Sequence, residues 1–125
     1  KDDEIAVEWL NRAAKSGNLI AQQRLAQMYD TGDKVTKDLA VAHKWYLSGA
    51  EQGHVASQKR LGFMYASGLG VTPSMAQSYK WFSIAAQSGD AGAKRDLALI
   101  APEMTAHQIG QGEQLAFAWL RNRRD

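Results

Sequence analysis

Tryptophan recurs at a fixed step along this chain: Trp9, Trp45 and Trp81 are each separated by 36 residues. The same step links Ala14, Ala50 and Ala86, then Gly17, Gly53 and Gly89, then Leu25, Leu61 and Leu97. Two copies also share Met28 and Met64, Tyr29 and Tyr65, Gly32 and Gly68, Val35 and Val71, Thr36 and Thr72, and Ala40 and Ala76. A period of this size is the signature of a solenoid, in which one supersecondary unit is repeated and each unit touches its neighbours.

Each unit reads as two helices. The first places Leu39, Ala42, Trp45, Tyr46, Gly49 and Ala50 at the i, i+3, i+4, i+7 spacing of one helical face. Thr36 and Thr72 precede these helices as N-cap candidates, with Pro73 at the first helical position, where a missing N–H costs nothing. Gly53 supplies the left-handed residue that ends the helix. The second helix, about 55–67, buries Leu61, Met64 and Tyr65, as Leu25, Met28 and Tyr29 are buried one unit earlier. The reading is therefore all-α: about three helix hairpins, near 3–36, 37–72 and 73–101, forming one repeat domain over 1–125. A single hairpin cannot bury its own apolar stripe, so neighbours must cover one another. Ala13, Gly49 and Ala85 beside the tryptophans permit close helix approach.

The third unit departs from the pattern. Ile100 and Ala101 stand where Met and Tyr are expected, and Pro102 stops the helix. A closing helix follows at about 105–123, opened by a Thr105-x-x-Gln108 capping box. Trp119 lies out of register, and this helix is expected to cover the open end and Leu99. The chain opens at Lys1 inside a helical pattern with no comparable cap, as expected of a piece of a longer repeat chain.

The Trp45-Tyr46-x-x-Gly49-Ala50-Glu51-Gln52-Gly53-His54 run and the Leu61-Gly62-x-Met64-Tyr65-x-x-Gly68-x-Gly70-Val71 run resemble the Sel-one-like repeat, a relative of the tetratricopeptide repeat. The resemblance spans about 4–101. It implies a right-handed α/α superhelix and a role as an adaptor or scaffold in protein complexes, most often bacterial. Unit one departs from it, with Asp33-Lys34 where the loop glycine is expected.

Positions on which the repeats agree are accounted for by packing, so a partner is expected where they disagree and point outward. On the second helix of unit one, Gln23, Gln27 and Asp30 lie opposite the buried face. Their equivalents are Lys59, Phe63 and Ala66, then Arg95 and Leu99. In the related tetratricopeptide fold, the resemblance implies, this face lines a concave groove. The expected groove is thus Gln23, Gln27, Asp30, Lys59, Phe63 and Arg95, with Arg24 and Arg60 on its shoulder. Phe63 would anchor an apolar group and the cations an acidic or carboxylate-ended peptide. The plainer reading of Lys59, Arg60 and Arg95 is solvated surface charge.

Composition narrows the chemistry. A formal net charge of +2 falls short of the clustered positive charge a nucleic-acid interface needs. Cysteine is absent, so disulfides, thiolate metal sites and cysteine nucleophiles are out. His43, His54 and His107 form no metal-ligand spacing, and His54 reads as structural at a helix junction. Gly68-x-Gly70 lacks the third glycine of a dinucleotide loop. No cofactor or metal is expected. Asp2-Asp3-Glu4 suits the first turn of a helix, and Arg121, Arg123 and Arg124 suit a last turn. No apolar run is long enough to cross a membrane, and the compartment stays open between bacterial cytoplasm and periplasm or exterior. The leading function is a protein-interaction module without enzymatic activity. The alternatives are a spacer or capping segment of a longer repeat protein and, more remotely, a hydrolase. Some cysteine-rich relatives of the repeat have been assigned hydrolytic activity, but their disulfides cannot form here.

Overall fold

The computed structural model describes residues 2–123; Lys1, Arg124 and Asp125 lie outside the described residues. Within them the chain forms α1 (Asp2–Lys15), α2 (Leu19–Thr31), α3 (Leu39–Glu51), α4 (Val55–Ser67), α5 (Met75–Gln87), α6 (Ala91–Ile100) and α7 (Ala106–Asn122). A 3-10 turn, Ala101–Glu103, separates α6 from α7, with Pro102 inside it. The described residues contain no strand. The helices pack in chain order from α1 to α6, most extensively α2 on α3 and α4 on α5, as expected of stacked hairpins.

The core repeats as the sequence does. Leu25, Leu61 and Met64 are fully buried and share one cluster with Trp45 and Trp81, and Met28 is nearly fully buried. Tyr29 and Tyr65 are only partly buried at its edge, and Leu97 is partly buried against a smaller cluster of Ala85, Ala86 and Ala93. Trp9 is a correction: it is 64% exposed, whereas Trp45 and Trp81 are 5% and 1% exposed. The reason is positional. In the interior, the tryptophan-bearing helix lies against the second helix of the preceding hairpin, and among the described residues α1 has no such neighbour.

Helix starts follow a rule the threonines concealed. Neither Thr36 nor Thr72 is a cap; Asp38 caps α3 and Ser74 caps α5, two residues later in each case. Pro73 consequently sits outside α5, where its ring packs over Gly68. The second helices open on three equivalent residues, Asn18, His54 and Asp90, each accepting the N–H three residues ahead. The Thr105–Gln108 capping box of α7 is present as read.

His54 is the weak member of that set. Its Nδ1 accepts from the Ser57 N–H at 3.3 Å, against 2.9 Å and 2.8 Å for Asn18 and Asp90, and shares its lone pair with the Ser57 hydroxyl at 2.6 Å. Accepting there requires a neutral ring, and burial lowers its proton affinity below the ordinary histidine value. The unfolded chain therefore binds the proton more readily, so this stability is complete above the ordinary value near 6.5 and is lost as pH falls below it. His54→Asn is expected to add about 0.5–1 kcal/mol. Thermal melts at about pH 7.5 and about pH 5.5 should show a smaller acid loss in the variant than in the parent. Part of the loss stays in both, because burial also lowers His43.

Two buried glutamines join the hairpins internally. Gln22 Nε2 donates to the Ala14 carbonyl at 3.0 Å, and Gln58 Nε2 donates to the Ala50 carbonyl at 3.1 Å. Both donor and acceptor move by one repeat between the two bonds, so each glutamine adds a second hydrogen bond to a carbonyl at the end of a first helix that already accepts the N–H of Gly17 or Gly53. The third equivalent is Lys94, which is exposed.

The closing helix takes an unexpected place. It runs alongside α5 in the same direction: Gly112 lies against Tyr79, and the Trp119 ring meets Trp81 edge-on at 5.8 Å. Its last turn reaches the end of α3, where Arg123 donates to the Glu51 carbonyl and stacks on Trp119 at 4.5 Å. Because α7 seals α5 rather than α6, Leu99 is 72% exposed and not covered by it, a second correction.

Candidate functional site

The expected partner-binding residues fall on the outward side of α2, α4 and α6, and the structure divides them into two groups. Asp30 and Arg60 are turned toward each other. Arg60 donates from Nε and Nη2 to the two Asp30 carboxylate oxygens, both at 2.9 Å, and the Tyr46 hydroxyl donates to the same carboxylate at 2.8 Å. The Asp30 side chain keeps only 12% of its exposure. Its place as a free groove residue is therefore corrected: a two-pronged carboxylate–guanidinium pair is geometrically specific and ties α2 to α4. Burial, then the bond to Asp30, pushes the Tyr46 phenol well above its ordinary range.

At the next junction, position 46 becomes Phe82 and position 30 becomes Ala66. The polar pair is thus exchanged as a unit for an apolar one. The link is supplied instead by Lys59, whose Nζ lies 3.0 Å from the Asp90 carboxylate. That contact, with the Ala93 N–H behind it, lowers the proton affinity of Asp90. Lys59 and Arg60 are thereby inter-repeat braces rather than freely solvated charges.

The second group stays open. Gln27, Phe63 and Leu99 occupy one repeat position on three successive second helices. All three are exposed, Phe63 at 47% and Leu99 at 72%. Arg60 stacks over the Phe63 ring at 5.1 Å, so the brace also fixes the anchor. Arg24 and Arg95 flank this row and make no ion pair among the described residues; Gln23 is half-buried beside them. Leu99 was legible as the equivalent of Phe63, and only the expected path of α7 hid it.

An open cleft of about 250 Å³ lies where α7 meets the turn after α3, lined by Gly53, Gln58, Ile84, Ser88, Trp119 and Arg123. Two of its polar groups are engaged elsewhere, Gln58 with Ala50 and Arg123 with Glu51, and Gln87 at its rim is exposed. Among the described residues no three of His, Asp and Glu gather as metal ligands, and no helix is long and apolar enough to cross a membrane.

Stacked helix hairpins with a fixed repeat and an outward row of variable residues define a solenoid of the α/α repeat class. The family model described as Sel1 repeat matches residues 1–18, 19–54 and 55–90, and the chain belongs to that family. Among solved structures it is similar to c5321, a protective antigen of uropathogenic Escherichia coli strains displaying an SLR fold. The TM-score is 0.87 at 33% identity over 93% of this chain and 25% of that one. It is also similar to a Sel1 repeat protein from Oxalobacter formigenes, with a TM-score of 0.66 at 34% identity over 70% of this chain and 36% of that one. The chain thus spans about a quarter to a third of these neighbours. No curated protein matches it.

Proposed function

We propose that this chain is a protein-interaction scaffold and that its partner docks along the row formed by Phe63 and Leu99. The observation that supports this reading most is the exposure of two large apolar side chains at one repeat position. Packing explains neither, because the core positions of the same helices are filled. The braces Asp30–Arg60 and Lys59–Asp90 hold the helices that carry the row in fixed register. A preorganised row lowers the ordering cost of association. The partner this chemistry fits is a protein segment with two apolar anchors and an acidic side chain for Arg95 or Arg24. No catalytic role is assigned to any residue.

The test is Phe63→Ser with Leu99→Ser. Both residues are exposed, so the melting temperature should stay within about 2 °C of the parent. Capture of the partner from the source organism should fall at least about tenfold. Equal capture by parent and variant would refute the row as the docking face. A second reading, that the chain is a spacer within a longer array, is favoured by the small share of its neighbours that it spans. Under that reading the double variant changes nothing.

A further inference from the structure

Equivalent turns of successive units differ by one side chain, and the difference opens a cavity. At the first junction Gln22 is 5% exposed; its Nε2 donates to the Ala14 carbonyl and its Oε1 accepts from Gln52 Nε2 at 2.6 Å. One repeat on, Gln58 is 2% exposed, and its Nε2 keeps the matching bond to the Ala50 carbonyl at 3.1 Å. The residue in the place of Gln52 is Ser88. The backbone has not moved to compensate: Gln52 has φ −86° and ψ 0°, and Ser88 has φ −76° and ψ −4°. The shorter side chain turns away, its hydroxyl donating to the Ala85 carbonyl at 2.6 Å. Gln58 Oε1 thus lacks the donor that its counterpart has, and no other described residue replaces it.

That acceptor is not sealed in, because no buried side-chain oxygen or nitrogen among the described residues lacks a partner. Gln58 and Ser88 both line the cleft of about 250 Å³ beside α7, and Ile84, Trp119 and Leu120 give it apolar walls. Arg123, stacked on Trp119 at 4.5 Å, uses a guanidinium N–H on the Glu51 carbonyl and keeps its remaining N–H groups. A group entering the cleft therefore meets an acceptor on Gln58 and donors on Arg123. A carboxylate has nothing to donate to Gln58. An ammonium group has nothing to accept from Arg123 and is repelled by it. A primary carboxamide does both. We propose that this cleft receives the carboxamide of a glutamine side chain carried by a partner protein, with its N–H₂ on Gln58 Oε1 and its carbonyl oxygen on Arg123. The incoming group repeats what Gln52 does for Gln22. The size agrees, since the cleft falls below the roughly 300–1,000 Å³ of sites for drug-sized ligands and suits one side chain. It shares no residue with the Phe63–Leu99 row, so it stands whether or not that row is the docking face.

An NMR titration of the full chain with N-acetylglutamine methylamide tests this. The Trp119 indole N–H and the Gln58 side-chain amide should shift saturably. The matching glutamate and methionine methylamides should bind at least about tenfold more weakly, the ratio that one lost hydrogen bond with an orphaned partner produces. Ser88→Gln supplies the missing side chain from within the chain. Position 88 is exposed, so this variant should keep the parent's helicity while losing the glutamine response. Ser88→Ala removes only the hydroxyl turned to Ala85 and should keep the response. A parent chain with no saturable shift would overturn the proposal. So would an equal response to either control, which would mean an apolar crevice or a plain anion site. A glutamine response that survives in Ser88→Gln would overturn it as well, by placing the binding elsewhere.

Discussion

Trp81→Ala should cost about 3–5 kcal/mol of folding stability, while Trp9→Ala should change it by less than about 0.5 kcal/mol. The two residues are the same letter at the same repeat position, so local sequence cannot separate them. Their surroundings do. Trp81 is 1% exposed, meets Trp119 edge-on at 5.8 Å, and carries Lys80 over its ring at 4.4 Å. Truncation leaves a cavity between α5 and α7, so it removes apolar burial and also loosens the helix that α7 forms over α5. Trp9 is 64% exposed and leaves no cavity. Total stability for a domain of this size is about 5–15 kcal/mol, so the first change consumes a large part of it. Urea melts of both variants measure the contrast, and comparable losses would show that burial does not govern the repeat.

Gly70→Ala is the second large effect, expected to destabilise by about 2–4 kcal/mol. Gly70 has φ of +75°, a left-handed conformation that costs a residue with a Cβ about 1–2 kcal/mol. A Cβ there would also lie 2.5 Å from the Leu39 carbonyl oxygen, which belongs to backbone at a helix start and cannot swing away. Unit one supplies the control. Lys34 occupies the equivalent position at φ +68°, so the backbone shape is kept without glycine. The close approach of loop to helix is the part that unit one cannot reproduce. If Gly70→Ala melts like the parent, the loop does not clamp against α3 as described.

How much of this was legible in the sequence depends on whether the determining contact lies within one repeat or between repeats. The helices, the left-handed Gly53, the Thr105–Gln108 box and the buried Leu61 and Met64 follow from local spacing, and the structure has them where spacing puts them. The caps were misplaced because threonine and aspartate or serine compete as N-caps, and the helix begins where Asp38 and Ser74 reach their N–H groups. Trp9 read as core because periodicity carries no information about which helix lies against a given unit.

The candidate site was legible to a similar depth. The face was identifiable from the wheel of α2 and α4, and Phe63 stood out as an outward aromatic. That Asp30 and Arg60 satisfy each other depends on α2 and α4 being brought side by side, 30 residues apart in the chain. No spacing rule within one helix contains it. The position of α7 was likewise beyond pattern: its Ala116-x-x-Trp119 echoes Ala42-x-x-Trp45, yet the register is displaced by two residues and the helix packs elsewhere.

Amide hydrogen exchange, resolved by residue, bears most directly on the idea that hairpins protect one another by stacking. With the chain held dilute, the slowest amides should lie in α3, α4 and α5, which are covered on both sides, and α1 should exchange faster than α3 although it holds the equivalent place in the repeat. Protection of α1 equal to that of α3 would mean that each hairpin is stable by itself, and the account of the fold as mutual burial would be contradicted.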